Sequence, residues 1–373
     1  MWTDCDRRSD DGSPKLTLMN RGRVEGLDVL RGVAVGLVML RHAFPGPFGG
    51  AGVVGVTVFF ALSGYLITGL LTRDLERYGR IRWGRFYAHR AFRLYPALLT
   101  LLVVWASVEL ATNALGSRES VPRSLVLAVT YTSDLPLPWS MGLGVNHLWS
   151  LAVEEQFYLV WPLLLFIAWR ARARLIRVAV GVAVVLTAAC WITLSLAAAP
   201  GDIYERPTTW ASAMAIGAVA QMSRARLEAL KQRMQAVLAV AGAIVLVGLS
   251  VLPDVKNLAA TYLVGPTLIS LATVALILFL GKQQTAATFA RPLLWLGTIS
   301  YAAYLWNLPV TEWIRRAGGD GQPMIMVLAL PATVVAATIS WWTVEALGRL
   351  GRAAFDGRRR LDTVPGSSAP SAP

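Results

Sequence analysis

A chain of 373 residues that is 55% hydrophobic and only 15% charged, with a mean hydropathy of +0.53, is too apolar to be an ordinary soluble domain. Apolar runs near 20 residues recur along it, the mark of a polytopic membrane protein built from helices. The net charge of +13 suits nucleic acid or anionic lipid in principle, but its distribution excludes a nucleic-acid surface in favour of membrane topology.

Hydropathy predicts spans at 27–44, 52–72, 94–113, 148–169, 178–198, 208–222, 235–252, 259–280, 292–313 and 323–344. The expectation is an all-α, polytopic membrane helical bundle of about 10 transmembrane helices. With the N-terminus inside, 27 Lys and Arg fall in inner segments and 6 in outer loops, and Arg31 and Arg41 lie within a span. That bias predicts both termini in the cytoplasm and a multi-pass protein of the plasma membrane. Three parts are expected: a cytoplasmic tail over 1–26, a membrane domain over 27–345, and a basic, then disordered, tail over 346–373. The polar start lacks a secretory cleavage pattern and is expected to stay on the protein. Cys5 in that tail and Cys190 in an apolar run suggest neither a disulfide framework nor a metal site.

The first span, Leu27 to His42, carries Asp28, Arg31, Arg41 and His42 in an otherwise apolar run. Ionisable groups at such depth are costly and mark function. Eleven residues separate Arg31 from His42, so both project from one helix face, about 16 Å apart along the axis. Asp28 is one turn from Arg31 and is placed to pair with it. A neutral His42 is suited to take a proton from a hydroxyl; the plainer alternative is an interfacial histidine bonded to a neighbouring helix.

The second span holds Phe59-Phe60-Ala61-Leu62-Ser63-Gly64, whose small residues permit close helix approach. A basic loop is expected from Arg73 to Arg93. Within it Arg90 and Arg93 are spaced i, i+3, which aims two guanidinium forks the same way, toward a specific phosphate or toward lipid headgroups. In the long outer loop, 114–147, the stretch Val121 to Thr132 reads as a re-entrant or surface segment. The fourth span opens at His147 and buries Glu154 and Glu155. Either could orient His42 in the manner of a hydrolase triad, or pair with Arg41 for packing alone. The ninth span contains Ser300, Tyr301, Tyr304 and Asn307 before Pro309, polar groups suited to line a cavity. No G-x-S-x-G nucleophile sequence is present, which favours direct transfer over an acyl-serine.

In this order, the blocks Leu27 to His42, Phe59 to Gly64, Arg90 and Arg93 before Pro96, and His147 to Pro162 resemble membrane acyltransferase family 3, the integral-membrane O-acyltransferases of surface polysaccharides and secreted glycosides. The resemblance runs from Leu27 to about Glu345. It implies essential roles for His42 and Arg31, acyl-donor contacts at Arg90 and Arg93, and a supporting acid at Glu154 or Glu155. Asp28, Arg41, Tyr301 and Asn307 are supporting candidates. Thr57, His89 and Asn307 depart from the family's usual residues, and Asn307 removes a second imidazole. The expected reaction is transfer of an acyl group, acetyl in the first instance, from acyl-CoA to a sugar hydroxyl of a polysaccharide, lipid-linked glycan or glycoside, with His42 as general base. No tightly bound cofactor, no metal and no nucleic-acid partner is expected; membrane lipid is. The competing classes are a transporter or flippase of a polar or glycan substrate, and a non-catalytic scaffold.

Overall fold

The computed structural model describes residues 24–137, 140–283, 287–318 and 323–361. All regular structure among them is helical. The helices are α1 (Glu25–Ala43), α2 (Ala51–Tyr78), α3 (Trp83–Thr112), α4 (Val121–Thr130), α5 (Trp149–Arg170), α6 (Leu175–Leu196), α7 (Pro207–Met222), α8 (Arg224–Glu228), α9 (Gln232–Ser250), α10 (Ala259–Leu263), α11 (Gly265–Leu280), α12 (Arg291–Thr298), α13 (Ser300–Gly318) and α14 (Pro323–Leu361). Short 3₁₀ turns include Asn146–Leu148, Pro200–Ile203 and Val255–Asn257.

Each of the ten expected spans coincides with one helix or a broken pair. Among the described residues six helices, against the about 10 expected, are long and apolar enough to cross a membrane: α2, α3, α5 with its preceding turn, α6, α9 and α14. Expected tail residues 1–23 and 362–373, Cys5 among them, lie outside the described residues.

The chain departs from the expected outline in three places. The basic stretch 73–93 is not a loop: α2 runs on to Tyr78, Gly79 closes it at φ +62°, and α3 starts at Trp83. Only a glycine takes that left-handed cap without strain. The eighth and ninth spans are each interrupted, at Val264 and at Ile299. Finally, α14 continues well beyond residue 344 to Leu361 and packs on α3, with Asp356 3.3 Å from Arg85 Nε and 3.0 Å from His89 Nε2.

The bundle centres on α2, whose apolar stretch is 72% buried, whereas that of α6 is only 11% buried and faces outward. An apolar helix left uncovered is what a lipid-facing position requires. Two small-residue crossings set the spacing of the core. A Cβ on Gly32 of α1 would run into the Leu293 carbonyl, and one on Gly297 of α12 into the Asp28 carbonyl. These two glycines press α12 onto α1 at the level of Arg31. Gly64 of α2 and Gly217 of α7 meet the partner backbone in the same way, so packing here depends on backbone proximity. Trp161 of α5 donates to Thr68 Oγ1 of α2 at 2.9 Å, and Tyr158, Trp105 and Phe60 fill the interior.

At one end of the bundle lie the start of α1, the α2–α3 turn and the last turns of α14. At the other lie the end of α1 and the segment between α3 and α5. That segment folds around Glu109, a fully buried carboxylate that accepts backbone N–H groups of Leu115 and Ser117 at 3.0–3.2 Å. Trp105 Nε1 bonds the Leu143 carbonyl at 3.1 Å and holds the segment down. The stretch expected to be re-entrant or surface-lying is the short helix α4.

Candidate active site

Four cavities follow one another from the basic end to the opposite end, each sharing lining residues with the next. The first, about 270 Å³, is lined by Asp28, Arg31, Arg93, Glu345, Arg349 and Arg352, with Trp341 and Tyr301. Asp28 Oδ1 accepts from Arg31 Nη1 at 2.8 Å, the i, i+3 pair expected from the sequence. Arg31, Arg93, Ser300 and Tyr301 also line the second cavity, about 120 Å³. Tyr301 donates to the Leu94 carbonyl at 2.9 Å, which fixes α13 against α3.

Glu154 lines this second cavity, and it and the adjacent Glu155 have separate partners. Glu154 Oε1 accepts from Ser63 Oγ at 2.6 Å and from the Tyr158 hydroxyl. Glu155 pairs with Arg90, whose guanidinium also lies 3.4 Å over the Tyr158 ring. A buried carboxylate needs such matching, because an unpaired charge there is far costlier than the pair. The expected contact of Glu154 or Glu155 with His42 is not formed, and neither is an ion pair with Arg41. The helical register of α5 turns both carboxylates toward α2 and α3.

Val56 and Tyr304 connect the second cavity to a third of about 190 Å³, which contains Arg41, His42 and His147. Here the Asn307 amide lies 2.6 Å from His42 Nδ1, and Arg315 Nη2 donates to the His42 carbonyl at 2.7 Å. Arg315 is itself paired with Glu312. An amide offers both a donor and an acceptor, so Asn307 can serve either tautomer of His42. With Asn307 Nδ2 donating to Nδ1 the ring proton sits on Nε2; with the amide turned so that its oxygen faces an Nδ1 proton, Nε2 is the basic nitrogen. His147 stands edge-on to His42, ring centroids 6.5 Å apart, and both of its buried ring nitrogens lack a hydrogen-bond partner among the described residues. Tyr304 donates to the His147 carbonyl at 3.0 Å and sits 2.5 Å from Ser150 Oγ.

The third cavity shares Asn146, Tyr204, Glu205 and Lys256 with a fourth, an open cleft of about 970 Å³. Lys256 Nζ lies 3.8 Å from the centre of the Tyr204 ring. Asp134, on the same cleft, is held by Gln156 Nε2 at 2.8 Å, and burial pushes its carboxyl up from 3.8 to about 6.

This arrangement of a membrane bundle, an arginine-lined end and a histidine cavity bears on kinship. The family profile described as Acyltransferase domain matches residues 24–343. The chain belongs to that acyltransferase family. It is 28% identical over 361 residues to Peptidoglycan O-acetyltransferase OatA of Listeria monocytogenes, covering 89% of this chain and 56% of that protein. Identity to the Putative peptidoglycan O-acetyltransferase YrhL of Bacillus subtilis is 30% over 359 residues, covering 86% of this chain and 54% of that protein. A putative O-acetyltransferase of Staphylococcus aureus is 27% identical over 350 residues, covering 86% and 56%. The chain thus spans about half the length of the curated relatives it matches. No solved structure matches it.

Of the residues singled out in this acyltransferase-family sequence, Asp28, Arg31, Arg93 and Tyr301 meet at the basic end. Arg90, Glu154 and Glu155 form the middle centre, and Arg41, His42 and Asn307 belong to the histidine end. Sequence reasoning missed His147 as a neighbour of His42, and Arg349 and Arg352 as neighbours of Arg93. His147 being one of only three histidines was the signal available; for the two arginines there was none, because the pattern placed them after the last span.

Proposed function

We propose that the chain is an integral-membrane O-acyltransferase of the plasma membrane that transfers an acyl group, acetyl in the first instance, from acyl-CoA to a sugar hydroxyl. The acceptor class we favour is a cell-envelope glycan, in keeping with the names of the peptidoglycan-modifying relatives. The observation that carries this reading is the succession of cavities from an arginine-lined end to the His42–Asn307 pair, which suits a charged donor entering at one end and an acceptor at the other. In this reading the basic end is cytoplasmic, as the positive-inside bias requires.

His42 Nε2 takes the proton of the acceptor hydroxyl as its oxygen attacks the thioester carbonyl. A C–O bond forms, the C–S bond breaks, and the proton passes from His42 to the departing thiolate. Asn307 holds the imidazole at Nδ1, and with its amide oxygen turned toward an Nδ1 proton it leaves Nε2 basic. Arg31 and Arg93 attract the donor's phosphates, and holding both reactants in one narrow cavity supplies the proximity that direct transfer needs.

The test is transfer of labelled acetyl from acetyl-CoA to an oligosaccharide acceptor by purified protein in lipid nanodiscs. Label on a sugar oxygen, lost in His42→Ala, is the expected result. Folded native protein that neither binds acetyl-CoA nor turns it over with acceptor present would refute the donor assignment, and label trapped on His42 would replace direct transfer by an acyl-histidine route.

A further inference from the structure

We propose that the first cavity is a binding site for a phosphate-bearing ligand that also offers a hydrogen-bond donor, and that Arg349 and Arg352 of α14, with Arg93 of α3, are its phosphate ligands. Both α14 arginines lie beyond the residues that match the family, 24–343, in a stretch that reads from sequence as a tail.

Helix geometry brings them there. The 39 residues of α14 extend about 58 Å, nearly twice the hydrocarbon thickness of a bilayer, so its last turns project past the membrane at the basic end. They are held against α3: a Cβ on Gly348 would meet the Phe92 carbonyl, and Gly351 faces the Phe92 ring. The Asp356 pairs with Arg85 and His89 close the same seam one turn further on. Arg349 is fixed by its guanidinium 4.3 Å over the Trp341 ring and by bonds of 3.4–3.5 Å to the Trp341 carbonyl.

The charge in the cavity is unbalanced. Its lining holds Arg31, Arg93, Arg349 and Arg352 against Asp28 and Glu345. Asp28 is already paired with Arg31, so three guanidiniums share one carboxylate. Planar forks gathered at a cavity fit phosphate oxygens and repel one another without an anion between them. The remaining carboxylate adds a second requirement. Glu345 Oε1 is buried with no hydrogen-bond partner among the described residues, so it calls for an O–H or N–H on the ligand, as a nucleotide or a glycerol-headed phospholipid provides. Arg90, which the sequence pairs with Arg93 for phosphate, is instead neutralised by Glu155.

This deepens the acyl-CoA reading, on which only the identity of the ligand rests. The test measures binding of adenosine 3′,5′-bisphosphate to native protein in zwitterionic nanodiscs, and retention of phosphatidylglycerol by native mass spectrometry. Arg349→Gln with Arg352→Gln is expected to weaken one of these at least about tenfold, while Arg349→Lys with Arg352→Lys, which keeps the charge but not the planar fork and reports on folding, loses less than the glutamine pair. Nucleotide binding lost in the glutamine pair assigns the site to a nucleotide. Lipid retention lost instead, with no nucleotide bound, assigns it to a phospholipid headgroup and leaves the acyl-CoA reading without its donor seat. The proposal is overturned if the glutamine pair binds both probes as tightly as the native chain, or if the native chain binds neither. Failed acetyl transfer with intact phosphate binding counts against the proposed reaction alone.

Discussion

The carboxylate centre around Glu154 and Glu155 and the histidine centre around His42 and His147 both lie among apolar helices, yet they are completed differently. In the first, Ser63, Tyr158 and Arg90 engage both glutamates. In the second, His42 is held at Nδ1 by Asn307, while the ring nitrogens of His147 have no hydrogen-bond partner among the described residues. A matched centre has nothing to gain from a ligand. An unmatched one presents polar atoms that only a ligand or water can satisfy, so the reacting groups are expected to meet at the histidine end while the carboxylate pair fixes α5 against α2 and α3.

The comparison breaks most sharply at His42. His42→Ala is expected to lower acetyl transfer by about 10³-fold, within the usual range for losing a general base, with little change in thermal stability; transfer above a tenth of the native rate would remove the base assignment. Arg90→Met strands Glu155 as an uncompensated charge and is expected to cost about 3–5 kcal/mol of stability, read as a large fall in the unfolding midpoint in detergent. Adding Glu155→Gln should recover much of that loss, and no recovery would mean that Arg90 acts through something other than the pair. Asn307→Ala removes the amide that holds His42 at Nδ1 and is expected to lower kcat about 10–100-fold with the donor KM unchanged. A rise in KM alone would make Asn307 a contact of substrate rather than a positioning residue.

Two smaller effects sharpen the contrast. Burial lifts the Asp134 carboxyl from 3.8 to about 6, so folding favours its protonated form. That contribution is fully present below the unfolded value and is lost as pH rises through about 6. Asp134→Asn, neutral throughout, should therefore melt roughly 2–5 °C above the native protein near pH 7.5 and match it near pH 4; equal midpoints at both values would place the carboxyl in water. His147→Phe removes two unsatisfied nitrogens and is expected to leave stability unchanged or raise it by about 1 kcal/mol while transfer falls about tenfold. Transfer at the native rate would show that the His147 nitrogens take no part.

Much of this protein is local and therefore written in the chain. Composition dictates a helical membrane protein, because helices are the elements that satisfy the backbone within a single apolar run. Spacing alone pairs Asp28 with Arg31 and aligns Arg31 with His42, since both are relations within one helix. The partners across helices were decided only by tertiary packing. Asn307 reaches His42 from 265 positions away; Glu155 takes Arg90 and not Arg41; His147 comes beside His42; and α14, running on past its expected end, carries Arg349 and Arg352 to Arg93. Periodicity fixes which residues share a face, but which faces meet depends on where backbones can approach, as at Gly32 with Gly297 and Gly64 with Gly217, and those crossings exist only once the helices are packed.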